Sequence, residues 1–219
     1  MWCIPTLTPE YIERMEYLLD LYALPYNPAQ PVVCIDEKSK QLLGNIRTTI
    51  ATTAHADRKV DSEYQRKGTR NIFCAVEPKG GYRKLAVTAR RTKKDFAHFV
   101  CDLLDGYYAH VDMLHIVCDN LNTHFEKSFT ETFGQKEAQR ILSRIQFHYT
   151  PTHASWLDMA EIELSILSRT AIKGRLPTEA ELVRRVNLYE ERRNAHHAMI
   201  TWKFTKDDAR KKMKYEVQN

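Results

Sequence analysis

Hydrophobic residues along this chain fall at helical spacing in some stretches and in short unbroken runs in others. The switches between the two outline its elements. Thr8, Pro9 and Glu10 ahead of "YIERMEYLLDLYAL" predict a helix with Thr8 as cap and Pro9 at its first position, stopped by the proline-rich "PYNPAQP". "VVCID" is a β-branched apolar run ending in an acid and reads as a buried strand, with "QLLGNIRTTI" as the next strand. The polar stretch 51–67 reads as loop. "TRNIFCAVEP" and "YRKLAVTA" flank Lys79-Gly80-Gly81 and predict a hairpin. "TKKDFAHFVCDLLDGYYA" places Phe96, Phe99, Val100, Leu103 and Leu104 on one helical side. "MLHIVCD" is a second buried strand that again ends in Asp. A helical region near 126–143 precedes the short strand "RIQFHYT". "SWLDMAEIELSILSR" and "TEAELVRRVNLYEERRNA" then read as two helices. This order implies an α/β fold, a mixed sheet covered by helices.

Composition narrows the class. A chain of 219 residues suits one domain with short additions, and 43% hydrophobic with 28% charged residues is that of an ordinary globular protein. No apolar run reaches membrane-spanning length, and "MWCIPTLTPE" lacks the basic start and apolar core of a signal peptide. The five cysteines form no CxxC pair, and three sit in apolar runs, which reads as buried free thiols in a reducing compartment. A net charge of +5 is compatible with nucleic acid without demonstrating it.

The candidate chemistry is carboxylate chemistry. Asp36 and Asp119 each follow an apolar run, and in open α/β sheets sites lie beyond the carboxyl ends of strands; alone, either also suits a turn or a helix cap. In the helix that follows, at about 100° per residue, Leu157, Ala160, Leu164 and Leu167 form one apolar stripe and Met159, Ile162 and Ile166 another. Glu161 falls at the edge of the first stripe, with Asp158 about 60° further round and Glu163 about 200° away. A carboxylate on so apolar a helix needs a partner, which a metal ion or an arginine would supply equally well. No histidine shows HExxH or cysteine-paired spacing, so zinc is not expected.

The motifs "VVCIDEKS", "EYQRKGTRNIF", "VCDNLNTH", "FHYTPTHASWLDMAEIELSILSR" and "TWKFTKDDARKKMK", in this order over nearly the whole chain, resemble the bacterial insertion-sequence branch of the mariner superfamily of DDE transposases. The resemblance implies a ribonuclease-H-like fold over residues 31–175, with 1–30 as an N-terminal helix and linker and 176–219 as a helical and basic extension. It implies that Asp36, Asp119 and Glu161 are the catalytic triad and the ligands of two Mg²⁺ or Mn²⁺ ions, and it selects Glu161 over Glu163. It further implies cleavage at terminal inverted repeats of double-stranded DNA, joining of the freed 3′-hydroxyl to a TA target, a homodimer or partner transposase chain, no membrane association, and a bacterial, nucleoid-associated cytoplasmic protein.

Two departures from the family stand out. Asp158 occupies a position usually held by Asn; an extra carboxylate there would hold a metal too tightly, repel Glu161, or be a harmless solvated side chain, and the last is the expectation. The sequence also starts just before "WCIP", so a truncated or split reading frame lacking the upstream helix-turn-helix domains is expected. Asn120, His124, His153 and Asp158 are candidate site-lining residues. Arg66, Lys67, Arg90, Arg91, Lys93, Lys94, Arg210, Lys211 and Lys212 are candidate DNA contacts, as are Arg83 and Lys84; for all of these a solvated face is the alternative. Trp156 reads as a core anchor rather than a base-stacking platform. An active transposase domain, an inactive DNA-associated or inhibitory remnant, and another ribonuclease-H-like nuclease such as a resolvase are the competing functions. The intact triad favours the first.

Overall fold

A computed structural model describes residues 7–47, 62–119 and 126–215. Helix α1 (Pro9–Ala23) begins as its sequence predicts: the Thr8 side chain accepts from the Tyr11 N–H and Pro9 sits in the first turn. Five strands follow, β1 (Val32–Asn45), β2 (Tyr64–Glu77), β3 (Tyr82–Thr88), β4 (Leu114–Cys118) and β5 (Ile145–Tyr149), in the sheet order β3-β2-β1-β4-β5. β1 pairs antiparallel with β2 and parallel with β4; β2–β3 is the expected hairpin, and β4–β5 is parallel. The sheet is therefore mixed.

Side-chain alternation sends neighbouring strand residues to opposite faces. Val33, Ile35, Phe73, Ala75, Ile116 and Cys118 point to one face, where α2 (Lys93–Asp105), α3 (Lys127–Phe133) and α4 (Gln135–Leu142) cover them. The stripe Phe96, Phe99, Val100, Leu103 and Leu104 of α2 is buried there, as its spacing predicts. Cys34, Cys74, Val76 and Val117 point to the other face, under α1, α5 (Met159–Thr170), α6 (Glu179–Ala195) and α7 (Lys206–Met213). Cover on both faces explains why Asn71–Glu77 of β2 is buried without interruption. Cys34, Cys74 and Cys118 are buried free thiols. Trp156 packs against Trp202 and Phe204 beside that second core. Among the described residues, no helix is long and apolar enough to cross a membrane.

Four local expectations change. "VVCID" and "QLLG" belong to one strand, because β2 supplies ladder partners through the polar stretch between them, including Lys38 with Ile72 and Lys40 with Arg70. Asp36 is therefore inside β1 rather than at its end. Tyr64–Lys67, expected as loop, forms the start of β2; residues 48–61 lie outside the described residues. The helix read from Ser155 onward is interrupted: Ser155–Leu157 is a single 3-10 turn, Asp158 is extended, and α5 begins at Met159. The helical region near 126–143 is likewise split between α3 and α4 at Gly134, whose φ of 80° suits a residue without Cβ.

Candidate active site

The parallel β1–β4 ladder ends with Ile35 opposite Cys118. One residue further on each strand stand Asp36 and Asp119, both half-buried. Ile35 and Cys118 belong to the core under α2, so alternation turns the two acids toward the opposite face, where α5 starts. Asp36 is thus at the end of a ladder although not at the end of a strand.

The start of α5 brings two more acids. Asp158 is the N-cap, its Oδ1 accepting from the Ala160 N–H at 2.8 Å, and Glu161 lies in the first turn. Glu161 also stands at the N3 position, from which a glutamate often reaches back to the N–H of the cap residue. Here that N–H donates to the Ser155 carbonyl at 2.8 Å, so capping does not occupy the Glu161 carboxylate. The helix N-terminus itself favours negative charge. Tyr22 of α1 braces the approach to this turn, donating its hydroxyl to the Leu157 carbonyl at 2.7 Å.

The four acids act on one another electrostatically. Burial pushes the Asp36 carboxyl up to about 7, the Glu37 N–H donated to its Oδ1 at 2.7 Å acts in the opposite sense, and the charges of Glu37, Asp119 and Glu161 raise it further. Asp158 is held well above the usual carboxylate range, chiefly by burial, with Asp36, Glu161 and Asp119 adding to it. None of the leading influences on either acid comes from a lysine or arginine. Oδ2 of Asp158 is buried without a hydrogen-bond partner among the described residues. Converging carboxylates of this kind, one with an orphaned oxygen, fit a hard divalent cation.

Asp158 therefore departs from expectation. It is 2% exposed rather than solvated, because the break in the helix turns it inward as a cap. Glu161 departs as well: it is exposed, so the burial argument for a partner does not apply to it. The acid that the apolar helix does bury is Glu163, at 0% exposure, and arginine neutralises it. Arg193 donates to Glu163 at 2.9 and 3.0 Å, Tyr189 at 2.5 Å, and the Arg83 guanidinium pairs with it at 3.1 Å. Burial pushes Glu163 up, but these donors and charges outweigh it and hold the carboxyl below its usual value.

Arg83 is thereby removed from the phosphate-facing candidates, being fully buried. Alternation along β3 turns it beneath α5 and α6. Lys84 pairs with Glu190 at 3.1 Å. Of the remaining cations, Arg90, Arg91, Lys93 and Lys94 are exposed in the segment leading into α2. Arg91 reaches Glu37 at 3.6 Å, and alternation turns Glu37 to the α2 face, opposite to Asp36; Lys93 pairs with Glu131 at 3.6 Å. Arg66 and Lys67 are exposed in the first half of β2, opposite the end of β1. Arg210 is engaged by Glu16 at 2.8 Å, Lys212 lies 5.7 Å from the Phe204 ring, and Lys211 is exposed. His153 has a φ of 63° and lines a cleft with Thr8, Tyr11 and Arg14, toward α1. Asn120 and His124 lie outside the described residues.

Glu37 was not among the sequence candidates. Its side chain is 3% exposed beside Arg91, and the signal for it is an acid directly following Asp36 in an apolar strand. A tighter donor cluster, Cys101, Asp105 and Glu137, has ligand atoms within 4.8 Å of one another. Arg140 already contacts both carboxylates, at 2.7 Å each, so it forms an ion network. No three of Asp36, Asp119, Asp158 and Glu161 come within that distance of one another.

A mixed sheet of this strand order with helices on both faces is a ribonuclease-H-like fold. The chain belongs to the DDE superfamily endonuclease family, whose profile matches residues 31–183. Its fold is similar to the catalytic domain of Mos1 mariner transposase, with a TM-score of 0.55 and 10% identity over 90% of this chain and 92% of that one. The Mos1 mariner paired end complex with Mn gives a TM-score of 0.58 at 12% identity over 90% of this chain, and the Mos1 strand transfer complex 0.52 at 11% over 87%. The chain spans 61% and 57% of the Mos1 chains in those two complexes. No curated protein matches the sequence.

Proposed function

We propose that this chain is the catalytic domain of a DNA transposase, with Asp36, Asp119 and Glu161 as its metal-holding acids. The observation that carries the reading is their convergence at the end of the β1–β4 ladder, inside a segment that matches an endonuclease family. The Mn of the Mos1 paired end complex and an all-oxygen donor set both support Mg²⁺ or Mn²⁺. Asp36, Asp119 and Glu161 would hold the ions through their carboxylate oxygens. The looser spacing of the four acids suits a pair of ions better than one closed cage. Such ions, when bound, would supply an activated water or 3′-hydroxyl and neutralise charge on the leaving oxygen.

The chain's own residues do the remainder. The N-terminus of α5 and the Asp158 cap hold Glu161 in place. Arg90, Arg91, Lys93 and Lys94, exposed at and just before the start of α2, would offer phosphate contacts that position a duplex without reading its sequence. The substrates on this reading are transposon inverted repeats and a TA target, acted on by a dimer or with a partner transposase chain in the bacterial nucleoid.

The test is nicking of duplex DNA with and without chelator. Nicking should require Mg²⁺ or Mn²⁺ and disappear in Asp36→Asn, while far-UV circular dichroism and thermal midpoint stay native. Cleavage by that variant at the wild-type rate overturns the assignment. Retention of DNA binding and Mn²⁺ binding by a wild-type chain that does not cut would favour the inactive, DNA-associated alternative.

A further inference from the structure

We propose that Asp158 is a fourth acid of the metal site, with its two oxygens doing separate jobs: Oδ1 sets the start of the helix that carries Glu161, and Oδ2 is a ligand oxygen for the bound cation, directly or through a cation-bound water. The inference rests on the reading of Asp36, Asp119 and Glu161 as metal-holding residues, and it deepens that reading.

Three observations lead to it. The side chain is 2% exposed, so water does not solvate its charge. Only one oxygen is used within the fold, by the Ala160 N–H at 2.8 Å; the other is buried with no hydrogen-bond partner among the described residues. The charged groups acting most strongly on it are Asp36, Glu161 and Asp119, so the unused oxygen belongs to the same electrostatic neighbourhood as the three acids. A buried carboxylate oxygen left among like charges is unfavourable by itself and becomes favourable when a cation shares it.

A purely structural reading does not account for the residue. Helix capping needs an oxygen acceptor and not a charge, and asparagine or serine serves as well. A carboxylate at the cap gains from the helix N-terminus, but burial and the repulsion of three neighbouring acids oppose its charge. The gain appears on the metal side, where affinity for hard cations rises with the number of carboxylate charges around the site.

The role divides cleanly by mutation. Asp158→Asn and Asp158→Ser keep a cap acceptor and remove the charge; Asp158→Ala removes both. Mn²⁺ binding is measured by the electron paramagnetic resonance signal of free Mn²⁺ during titration, alongside the thermal midpoint with and without Mn²⁺. Without metal, Asp158→Asn should melt at or above the wild-type midpoint, and Asp158→Ala below it. Mn²⁺ affinity should fall about 10- to 100-fold in Asp158→Asn and Asp158→Ser, the range for losing a group that supports a metal site, and the Mn²⁺-induced rise in midpoint should shrink with it. Wild-type Mn²⁺ affinity in both cap-competent variants would overturn the fourth-acid role while leaving the three-acid site standing. Failure of the parent reading looks different: wild-type protein would then bind no Mn²⁺ saturably, or Asp36→Asn would bind it as wild type does. Unchanged metal-free stability in Asp158→Asn together with weakened Mn²⁺ binding separates a ligand from a structural residue, since a structural role moves the two together.

Discussion

Two glutamates two positions apart on α5 stand in opposite surroundings, and the difference is one of partners. Glu163 has no exposure and lies between Arg83, Arg193 and Tyr189. Glu163→Gln leaves the buried Arg83 charge without its counter-ion and should cost about 3–5 kcal/mol in denaturant unfolding. Glu161→Gln, at an exposed position, should change stability by less than about 0.5 kcal/mol and still eliminate metal-dependent nicking. If the two results were exchanged, the site assignment would be reversed. A third residue-scale outcome concerns pH. His148, buried on β5, is bonded to His115 and Tyr17 at 2.9 Å each, and burial followed by the neighbouring His115 lowers it from 6.5 to about 4. The unfolded chain therefore takes up the proton first, and stability should be lost as pH falls from about 6.5 through about 4, by roughly 3 kcal/mol at full extent. Asp36 runs the other way: raised to about 7, it favours proton uptake by the folded state and adds stability as pH falls in metal-free protein. Comparing wild type with His148→Gln at pH 7 and pH 4.5 isolates the histidine. An equal loss in both proteins would remove it as the cause.

At the scale of elements, the site depends on where helices begin. The short turn Ser155–Leu157, the extended Asp158 and the first turn of α5 together place an oxygen acceptor, a buried carboxylate and Glu161 within four consecutive positions. α1, distant in sequence, locks this arrangement through the Tyr22 hydroxyl on the Leu157 carbonyl, a buried hydrogen bond at 2.7 Å. Tyr22→Phe leaves that carbonyl unpaired and should cost about 1–3 kcal/mol, and because the loosened residue adjoins Asp158 it should also weaken Mn²⁺ binding. Calorimetric unfolding and the same Mn²⁺ titration check both. A stability loss with unaltered Mn²⁺ affinity would show that α1 is structural support only. Much of this element scale is legible in the sequence: Thr8-Pro9 at the start of α1, the Lys79-Gly80-Gly81 turn and the α2 stripe all appear as local spacing predicts. The break at Asp158 is not, because an apolar wheel continues smoothly across it while the hydrogen bond that ends the turn is made by the backbone.

At the scale of the whole molecule, helices cover both faces of the sheet, and two groups of exposed cations are proposed to meet a duplex: Arg90, Arg91, Lys93 and Lys94 around the start of α2, and Arg66 and Lys67 at the start of β2. Phosphate contacts release counterions, so DNA affinity should fall linearly in logarithmic form with salt. Arg66→Ala with Lys67→Ala should weaken binding to inverted-repeat and scrambled duplexes equally and reduce the salt slope by about 2, one for each phosphate no longer neutralised. Fluorescence anisotropy at several salt concentrations measures this. An unaltered slope would exclude the start of β2 from the interface, and a weakening confined to the inverted repeat would mean that these residues read sequence.

Sequence alone determined the succession of elements, the acids at two apolar runs and the family, since periodicity and motif order are local properties that survive without coordinates. It also indicated that a carboxylate in the apolar helix needs a partner, leaving open metal or arginine. Only the tertiary structure decided which carboxylate is buried and paired: Glu163, held by arginines from β3 and α6, while Glu161 stays exposed in the first turn of α5. It also showed that Lys38–Gln41 continue a strand, because the pairing that satisfies their backbone comes from β2 across a stretch of intervening chain. Arg83 looks like a surface cation until its strand position is known, and Asp158 looks like a solvated helical residue until the helix is seen to start after it. Burial of a charge is set by elements distant in sequence, so it is a property of the packed molecule and is not written in the spacing of its neighbours.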